Sequence, residues 1–261
     1  MTDRGQKISV VINTYNAEQH LKEVLESVKE FDEILICDME STDRTLDIAR
    51  QYGCRVVTFP KGDAVSAEPA RTFAIQSAAN HWVFVVDADE LVTTELRNYL
   101  YQRISKADCP EGLYIPRRNL FLGQYEQNFT ADYQLRFFIR EGTEWPPYVH
   151  TFPKVNGRVE KIPLSKENVC FYHLIDETIG QRIAKDNRYS DGELAKKAGK
   201  HYGVLTLLLK PHWQFFSSFV LRGGFLDGKR GLIRAGLNAF YKFALIAKIM
   251  EQDLRNQKHE S

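Results

Sequence analysis

The stretch that decides the fold is Trp82-Val83-Phe84-Val85-Val86-Asp87-Ala88-Asp89-Glu90. Its apolar beginning, rich in Val and Phe, predicts a strand that is buried on both faces. Three carboxylates follow at once, at the edge where open α/β sheets bind ligands. An Asp-x-Asp pair there suits a divalent cation that takes substrate phosphates as further ligands. The alternative is a strand followed by the acidic first turn of a helix.

Composition bounds the class of protein. A chain of 261 residues, 43% hydrophobic and 26% charged, is typical of a globular protein with one large domain or a domain and an appendage. The net charge of +1 argues against a general nucleic-acid binder. The four cysteines show no Cys-x-x-Cys spacing, which predicts reduced thiols in a cytosolic protein. We expect neither a signal peptide nor a membrane-spanning segment.

Strands and helices alternate through the first hundred residues. The predicted strands are 8–12, 33–38, 55–59 and 82–86, with helices between them. Asn16, followed by Gln19 three residues later, is the expected N-cap of the first helix, and Thr42 that of the second. Such alternation predicts right-handed βαβ units and a parallel sheet.

The pattern changes near residue 112. Antiparallel strands are predicted over 112–117 and 134–140, and a hairpin over 152–162 that turns at Asn156-Gly157. From Glu177 onward the chain has helical periodicity. We therefore expect a mixed α/β domain over 1–175 and a helical C-terminal extension over 176–261.

Two residues near strand ends are candidates for nucleotide binding. Asp38, at the end of the second strand, could meet a ribose hydroxyl or a base edge. Tyr15, after the first strand, could stack on a base or pack against the sheet. Neither a Gly-x-Gly-x-x-Gly nor a P-loop sequence is present, which argues against a dehydrogenase and a P-loop nucleotidase.

These pieces together resemble the family 2 glycosyltransferases of GT-A fold. The matching segments are Thr14-Tyr15-Asn16, the phrase from Asp38 to Thr45, Ala70-Arg71 and Asp87-Ala88-Asp89. Two later segments, Gln134-Leu135-Arg136-Phe137-Phe138 and Gly224-Phe225-Leu226-Asp227-Gly228, look more narrowly like bacterial lipopolysaccharide-core β-glucosyltransferases.

The resemblance implies a fold, an activity and a donor site. The fold would be GT-A, with a mixed, mainly parallel central sheet and a helical C-terminal extension. The activity would be inverting transfer of a sugar from a nucleotide-diphospho-sugar, most simply UDP-linked. The residues that would bind the nucleotide-sugar are Thr14, Tyr15, Asn16, Asp38, Arg71 and Asp87. Asp89 would ligate Mn²⁺ or Mg²⁺, with His173 as a further metal contact.

An inverting transfer also needs a general base near the acceptor hydroxyl. Related transferases often carry a His-Glu pair after the middle strands, where this chain has Val149-His150-Thr151. Asp132 is therefore the first candidate for the base and Glu144 the second; Asp132 could instead be a turn residue.

Three residues are candidates for contacts to the sugar or the acceptor. Gln134 and Arg136 share one face of a strand, because side chains alternate along a strand. His150 is the third candidate. The alternative is a solvated strand face and an ordinary structural histidine.

The C-terminal region is strongly basic. Between Val204 and Ile249 seven Lys and Arg residues face one acid, Asp227, and aromatic residues are interspersed among them. Such a segment could contact an anionic membrane, or it could pack on the catalytic domain with its basic residues in water. A lipid-linked or lipopolysaccharide-core acceptor would favour the membrane, at the cytoplasmic face of a bacterial inner membrane.

Two other functions compete with this one. A sugar-nucleotide pyrophosphorylase would carry a Gly-rich loop after the first strand, and residues 13–19 contain no glycine. A degenerate transferase-like subunit that binds nucleotide or membrane without catalysis remains the alternative function.

Overall fold

The computed structural model of the chain describes residues 6–64, 66–125, 132–147, 151–166, 168–196 and 199–259. The chain divides into two compact units. The first comprises Met1–Asn119 and Ala131–Ile175, and the second comprises Leu120–Thr130 and Asp176–Ser261. The assignment of 176–261 as an extension to a catalytic domain stays a prediction.

The first unit is built around a twisted sheet with helices on both faces. Its strands are β1 (Ile8–Thr14), β2 (Glu33–Asp38), β3 (Arg55–Thr58), β4 (Trp82–Val85), β5 (Glu90–Val92), β6 (Gly112–Phe121), β8 (Asp132–Ile139), β9 (Val159–Lys161) and β10 (Phe171–His173). Its helices are α1 (Leu21–Val28), α2 (Thr45–Gln51), α3 (Glu68–Ser77) and α4 (Thr94–Ile104). The last residues of β6 pair with the short strand β7 (Gln124–Tyr125), within the second unit.

The strand order confirms a mixed, mainly parallel sheet. The order is β3-β2-β1-β4-β8-β6-β10-β5, and β1 to β4 run parallel to one another. The strand β8 inserts antiparallel between β4 and β6, which brings residues from the middle of the chain next to the Asp87–Glu90 turn. The βαβ units predicted from the alternation of strands and helices are therefore present.

The strands β1 and β4 near the centre of this sheet are buried, as their Val-rich sequences predict. All residues of β1 and β4 are buried. Apolar residues of α1 and α4 pack on one face, and Ala70, Ala74 and Ile75 of α3 pack on the other. The carboxyl ends of β1, β2 and β4 consequently meet at one edge, which positions the candidate site.

Three local predictions were wrong. No side chain caps α1, which begins after His20, and Asn16 instead adopts a left-handed φ of 48°. Thr42 lies three residues before α2, where Asp43 accepts a hydrogen bond from the Thr45 N–H at 3.0 Å. The predicted hairpin over 152–162 is absent, because β9 pairs in parallel with β6.

The second unit is helical, as the periodicity predicts. It contains α5 (Ile179–Lys196), α6 (Val204–Phe216), a π-helical turn at Ser217–Leu221, a 3-10 turn at Gly224–Asp227 and the long α7 (Gly228–His259). A Cβ at Gly231 would lie 1.7 Å from the Gly224 carbonyl oxygen, so only glycine permits this close approach at the start of α7. Among the described helices, none is both long and apolar enough to cross a bilayer.

We expect the aromatic pair in the middle of the sheet to be a main source of stability. Phe137 is fully buried, and its ring stacks on Trp82 with centroids 5.1 Å apart. Phe137→Ala should lower the free energy of unfolding by about 3–5 kcal/mol, because it removes a large buried side chain and leaves a cavity. Urea denaturation measures this.

The matched control is Phe152→Ala, since Phe152 is an exposed phenylalanine of the same unit. It should cost less than about 1 kcal/mol, as surface substitutions usually do. Equal losses in the two variants would contradict this account of the core.

Candidate active site

The centre of the site is the carboxylate of Asp87, which follows β4 and lies between two buried arginines. Arg71 of α3 donates to Asp87 Oδ1 at 2.8 Å. Arg136 of β8 donates to the same oxygen at 3.2 Å and, through its second terminal nitrogen, to Oδ2. Both guanidinium groups also lie over the ring of buried Trp145, with Cζ 4.5 Å (Arg71) and 5.4 Å (Arg136) from its centroid. The arrangement joins three distant segments of the chain through one acid.

Burial and charge set the ionisation of this cluster. Burial by itself raises the pKa of Asp87, but the positive charges of Arg136 and Arg71 outweigh it and hold that pKa well below its usual range. Glu90 is fully buried, and burial together with the charge of Asp87 raises its pKa. Glu90 Oε2 also accepts the Asp87 backbone N–H at 3.0 Å, which fixes the turn between the two acids.

Arg117 of β6 connects this turn to Asp132, the first candidate for the base. Its Nη1 lies 3.2 Å from Glu90 Oε1, and its Nε and Nη2 lie 2.8 and 2.7 Å from Asp132 Oδ2. Asn119 donates to the same oxygen at 3.1 Å, and Gln134 donates to Oδ1 at 2.7 Å. Although burial opposes it, the charge of Arg117 and these hydrogen bonds lower the pKa of Asp132. Asp132 is therefore an ionised, firmly oriented carboxylate.

Asp89 differs from its two acidic neighbours. Within the part of the chain that the structure describes, its carboxylate contacts no arginine and instead faces His173 of β10, with Oδ2 and Nε2 3.5 Å apart. Both side chains are about one quarter exposed. The Leu174 N–H donates to the Asp89 carbonyl oxygen at 2.8 Å and holds the two segments together. The structure thus brings together the two residues that the sequence predicts as metal contacts.

These residues fit a divalent cation that takes most of its ligands from elsewhere. In the described ranges no group of three His, Cys, Asp or Glu side chains could enclose a metal ion. Asp89 and His173 nevertheless supply one oxygen and one nitrogen, both partly open to solvent. Cations of this kind commonly bind through one or two protein side chains together with substrate phosphates.

The loops after β1 and β2 are held together through Asp38. Its carboxylate accepts from the Thr14 hydroxyl at 2.9 Å, from the Ser41 N–H at 2.9 Å and from the Ser41 hydroxyl at 2.6 Å. The residue is only 1% exposed. Asn16 Oδ1 accepts the Thr42 N–H at 2.8 Å, and the Asn16 N–H donates to the Ser41 hydroxyl at 2.9 Å. Asp38, Thr14 and Asn16 therefore shape the edge of the site, and their direct contact with a nucleotide stays a prediction.

Tyr15 is placed differently from these neighbours. Its ring is about half exposed, and the ammonium group of Lys61 lies 4.8 Å from the ring centroid. An exposed ring with one face toward solvent can accept a stacked base. Stacking of Tyr15 on a base and packing of its ring against the sheet, the two alternatives from the sequence, both stay predictions.

Glu144, the second candidate for the base, is not joined to this cluster within the described residues. The Glu144 backbone pairs with Lys154, and among the described residues its exposed side chain forms no hydrogen bond or ion pair. His150 lies outside the described residues. The role of each stays a prediction.

The sequence analysis missed Arg117, Asn119 and Trp145. A signal for the first two existed, because residues two apart on a strand share a face and both precede the candidate acid Asp132. The structure pairs Arg117 with Asp132 across β6 and β8. Nothing in the sequence pointed to Trp145, because an isolated Trp in a loop belongs to no helical or strand periodicity that would predict its neighbours.

We expect Arg71 to stabilise the fold through the charge of Asp87. The lowered pKa of Asp87 means that its ionised form contributes stability above the ordinary value near 3.8, and this contribution is lost as the pH falls through the folded-state value. Arg71→Met, which leaves the buried acid with one partner, should cost about 3–5 kcal/mol at neutral pH. The cost should shrink below pH 3.8, because folded-state Asp87 becomes protonated at a higher pH in the variant than in the wild type.

Urea denaturation across this pH range measures the effect. Arg50→Met is the matched control, because Arg50 forms an exposed ion pair with Asp47 and should cost at most about 1 kcal/mol. A cost of Arg71→Met that does not vary with pH would contradict the electrostatic argument.

Comparison with known proteins places this site in a family. The profile of Glycosyl transferase family 2 matches residues 9–152, more than half of the chain. An uncharacterized glycosyltransferase of Rickettsia bellii is 27% identical over 281 residues, which cover 96% of this chain and 88% of the relative. The lipopolysaccharide core biosynthesis glycosyltransferase LpsC of Rhizobium meliloti is 26% identical and covers 94% of this chain and 92% of its own length.

Solved structures share the fold. Mannosyltransferase PcManGT from Pyrobaculum calidifontis, in complex with GDP-Man and Mn²⁺, has a TM-score of 0.57 at 15% identity and covers 94% of this chain and 87% of its own. S. aureus TarS 1-349, in complex with UDP, has a TM-score of 0.50 at 16% identity and covers 96% and 92%. The GT-A fold implied by the motifs is thus confirmed, and the chain belongs to glycosyl transferase family 2.

Proposed function

We propose that this glycosyltransferase is a metal-dependent, inverting enzyme that moves a sugar from a UDP-sugar to a lipopolysaccharide-core or other lipid-linked acceptor. The observation that carries the proposal is the Asp89–His173 pair, which lies beside the arginine-bound Asp87 at the carboxyl end of β4. One acid is saturated with positive charge and the other is open to solvent. The open acid can bind a cation that takes diphosphate oxygens as its further ligands.

The donor would bind at the edge formed by β1, β2 and β4. Asp89 and His173 would hold Mn²⁺ or Mg²⁺, which when bound would neutralise charge on the departing diphosphate. Within the part of the chain that the structure describes, Nε and Nη1 of buried Arg71 have no hydrogen-bond partner, so these N–H groups could donate to oxygens of the nucleotide-sugar. Tyr15 would stack on the base. TarS with UDP and PcManGT with GDP-Man and Mn²⁺ support a nucleotide donor with a metal.

Asp132 would act as the general base. The acceptor oxygen attacks C1 of the sugar, the bond from C1 to the diphosphate oxygen breaks, and the acceptor proton passes to the Asp132 carboxylate. Attack on the face opposite the leaving group inverts the anomeric centre. Gln134 and Arg136 belong to the same strand as Asp132, and Gln134 orients it directly. Glu144 remains the second candidate for the base, and His150 a candidate for acceptor contact.

The relative LpsC, a lipopolysaccharide core biosynthesis glycosyltransferase, supports a proposal for the acceptor. We propose a bacterial lipopolysaccharide-core or lipid-linked glycan as acceptor. The enzyme would then work in the cytoplasm as a peripheral protein at the inner face of the inner membrane. No nucleic acid is expected as a partner.

Calorimetric titration with UDP tests the donor site. The protein should bind UDP with Mn²⁺ present and at least tenfold more weakly in EDTA. Without the metal ion, Asp89 and His173 alone leave the negative charge of the diphosphate uncompensated. Asp89→Asn should remove most of this metal dependence. GDP and ADP titrations establish the base preference.

Asp47→Asn is the matched control, because Asp47 is an exposed acid of α2. It should bind UDP like the wild type. UDP affinity that is unchanged by both EDTA and Asp89→Asn would contradict the metal site. Failure of the folded protein to bind any of the three nucleotides would favour the non-catalytic assembly subunit.

Arg117→Gln tests the assignment of the base. The variant should raise the pKa of Asp132, because the positive charge that lowers it is removed. The ¹³C resonance of the Asp132 carboxyl group, assigned with Asp132→Asn, measures this pKa. Asp132→Asn itself should reduce turnover of a UDP-sugar by about 10²–10⁴-fold.

Arg118→Gln is the control for charge alone, since Arg118 is the next residue along β6 and its side chain points to the opposite face. The pKa of Asp132 should not change in it. Full turnover in Asp132→Asn would eliminate Asp132 as the base.

A further inference from the structure

One side of α6 exposes an unusual amount of apolar surface. The residues that share this side are Val204, Leu205, Leu208, Leu209, Trp213 and Phe216, with exposed fractions from 45% to 72%. Their spacing places them within about half of the helix circumference. We call them the α6 apolar surface. A helix of a globular protein normally buries such a stripe.

The opposite side of α6 already has its packing partner. Leu207 lines an apolar cavity of about 350 Å³ with Ala247, Met250 and Leu254 of α7, and Pro211 is buried. The α6 apolar surface is therefore not the side that attaches the helix to its own unit. It faces away from α7 and has no covering element among the described residues of this unit.

The exposed apolar character continues past the end of α6. The π-helical turn exposes Val220 and Leu221, and the 3-10 turn exposes Phe225 and Leu226. An apolar area made by three successive elements is larger than the scattered single residues expected on a protein surface. This continuity indicates a binding surface.

The charge around this surface has a single sign. No Asp or Glu occurs from Val204 to Leu226, whereas Lys210 and Arg222 lie within the segment and Lys229 follows it. Among the described residues, none of the three basic side chains forms an ion pair. Asp227, the first acid, lies 3.5 Å from Arg234. The segment that carries the surface thus combines exposed apolar side chains with a net positive charge.

We propose that the α6 apolar surface is the site at which the protein binds an anionic lipid bilayer, with α6 in the plane of the interface. A second copy of the chain would bring like charges together, whereas lipid phosphates would neutralise them. Trp213 is suited to the headgroup region, where an apolar ring carries a polar N–H. The inference rests on the proposed function, because a lipid-linked acceptor would bring the enzyme to a membrane. Its evidence is the α6 apolar surface itself.

The structure changes which helix is the candidate. The sequence analysis treated the whole basic segment as one membrane-binding candidate. Within it, Leu245, Ile246 and Ile249 of α7 are buried in the helical unit. The exposed apolar side chains are densest in α6 and the turns that follow it, whereas α7 exposes Leu232, Ile233, Phe240, Phe243 and Leu254 along a longer helix.

Vesicle binding by the full chain tests the proposal without any substrate. The wild type should sediment with phosphatidylglycerol vesicles. Leu205→Gln/Leu209→Gln should lower the partition coefficient at least tenfold, because two exposed leucines no longer enter the lipid. Lys210→Gln/Arg222→Gln/Lys229→Gln should weaken binding to phosphatidylglycerol while leaving binding to neutral phosphatidylcholine unchanged.

Tryptophan emission reports the contact directly. Trp82 and Trp145 are buried, whereas Trp213 is 62% exposed, and these are the three tryptophans of the chain. Addition of phosphatidylglycerol vesicles should shift the emission to the blue as Trp213 leaves water. Trp213→Phe should abolish the shift and still sediment.

Leu164→Gln/Ile175→Gln is the matched control, because Leu164 and Ile175 are exposed apolar residues of the first unit. It should bind vesicles like the wild type, and all variants should keep the wild-type melting temperature. A wild type that stays in the supernatant, or a Leu205→Gln/Leu209→Gln variant that binds fully, would overturn the proposal. The proposal would also be overturned if the wild type were a dimer, and if Leu205→Gln/Leu209→Gln dissociated this dimer while still binding vesicles.

UDP calorimetry separates this proposal from the proposed function. Leu205→Gln/Leu209→Gln should bind UDP and Mn²⁺ like the wild type, since neither leucine belongs to the donor site. Failure of the wild type to bind nucleotide would count against the transferase mechanism. Vesicle sedimentation would still test whether the α6 apolar surface binds a membrane.

Discussion

The ion pairs of Asp87 with Arg71 and Arg136 constrain the whole first unit. Two guanidinium groups are almost fully buried, and an unpaired buried charge would cost several kcal/mol. Asp87 must therefore stay where β4 ends, with α3 on one side and β8 on the other. This requirement explains why β8, from the middle of the chain, lies antiparallel beside β4.

Four acids near this site differ in the charged groups that surround them. Asp87 is compensated by two arginines, whereas buried Glu90 acts through the backbone of the turn and through Arg117. Asp132 is oriented by Arg117, Asn119 and Gln134. Asp89 alone faces a histidine, so it retains the capacity to attract a cation. A difference in neighbours, and not in residue type, thus separates the three arginine-bound acids from the candidate metal ligand.

Much of the fold could be predicted because its signals are local. The Val- and Ile-rich runs of β1, β2 and β4 and the periodicity of α1 and α4 follow from neighbouring residues. The hairpin over 152–162 could not be judged in this way, since Asn156-Gly157 marks a turn without naming the partner of the strand that follows. The partner of β9 is β6, a contact between residues 47 positions apart in the chain, such as Gly112 and Val159. Asn16 misled for a similar reason, because an amide side chain can cap a helix or hold a second loop, and here it holds Thr42.

The sequence by itself determined the family, the βαβ half of the sheet and the acids at the end of β4, because these depend on short motifs and on the burial pattern of single strands. Tertiary structure alone decided the partners of those acids. Arg71, Arg117, Arg136 and His173 come from four different elements, and only the order of strands places them around Asp87, Asp132 and Asp89. Ion pairs and metal contacts act over a few ångströms in space. The number of residues between two side chains in the sequence does not predict that distance.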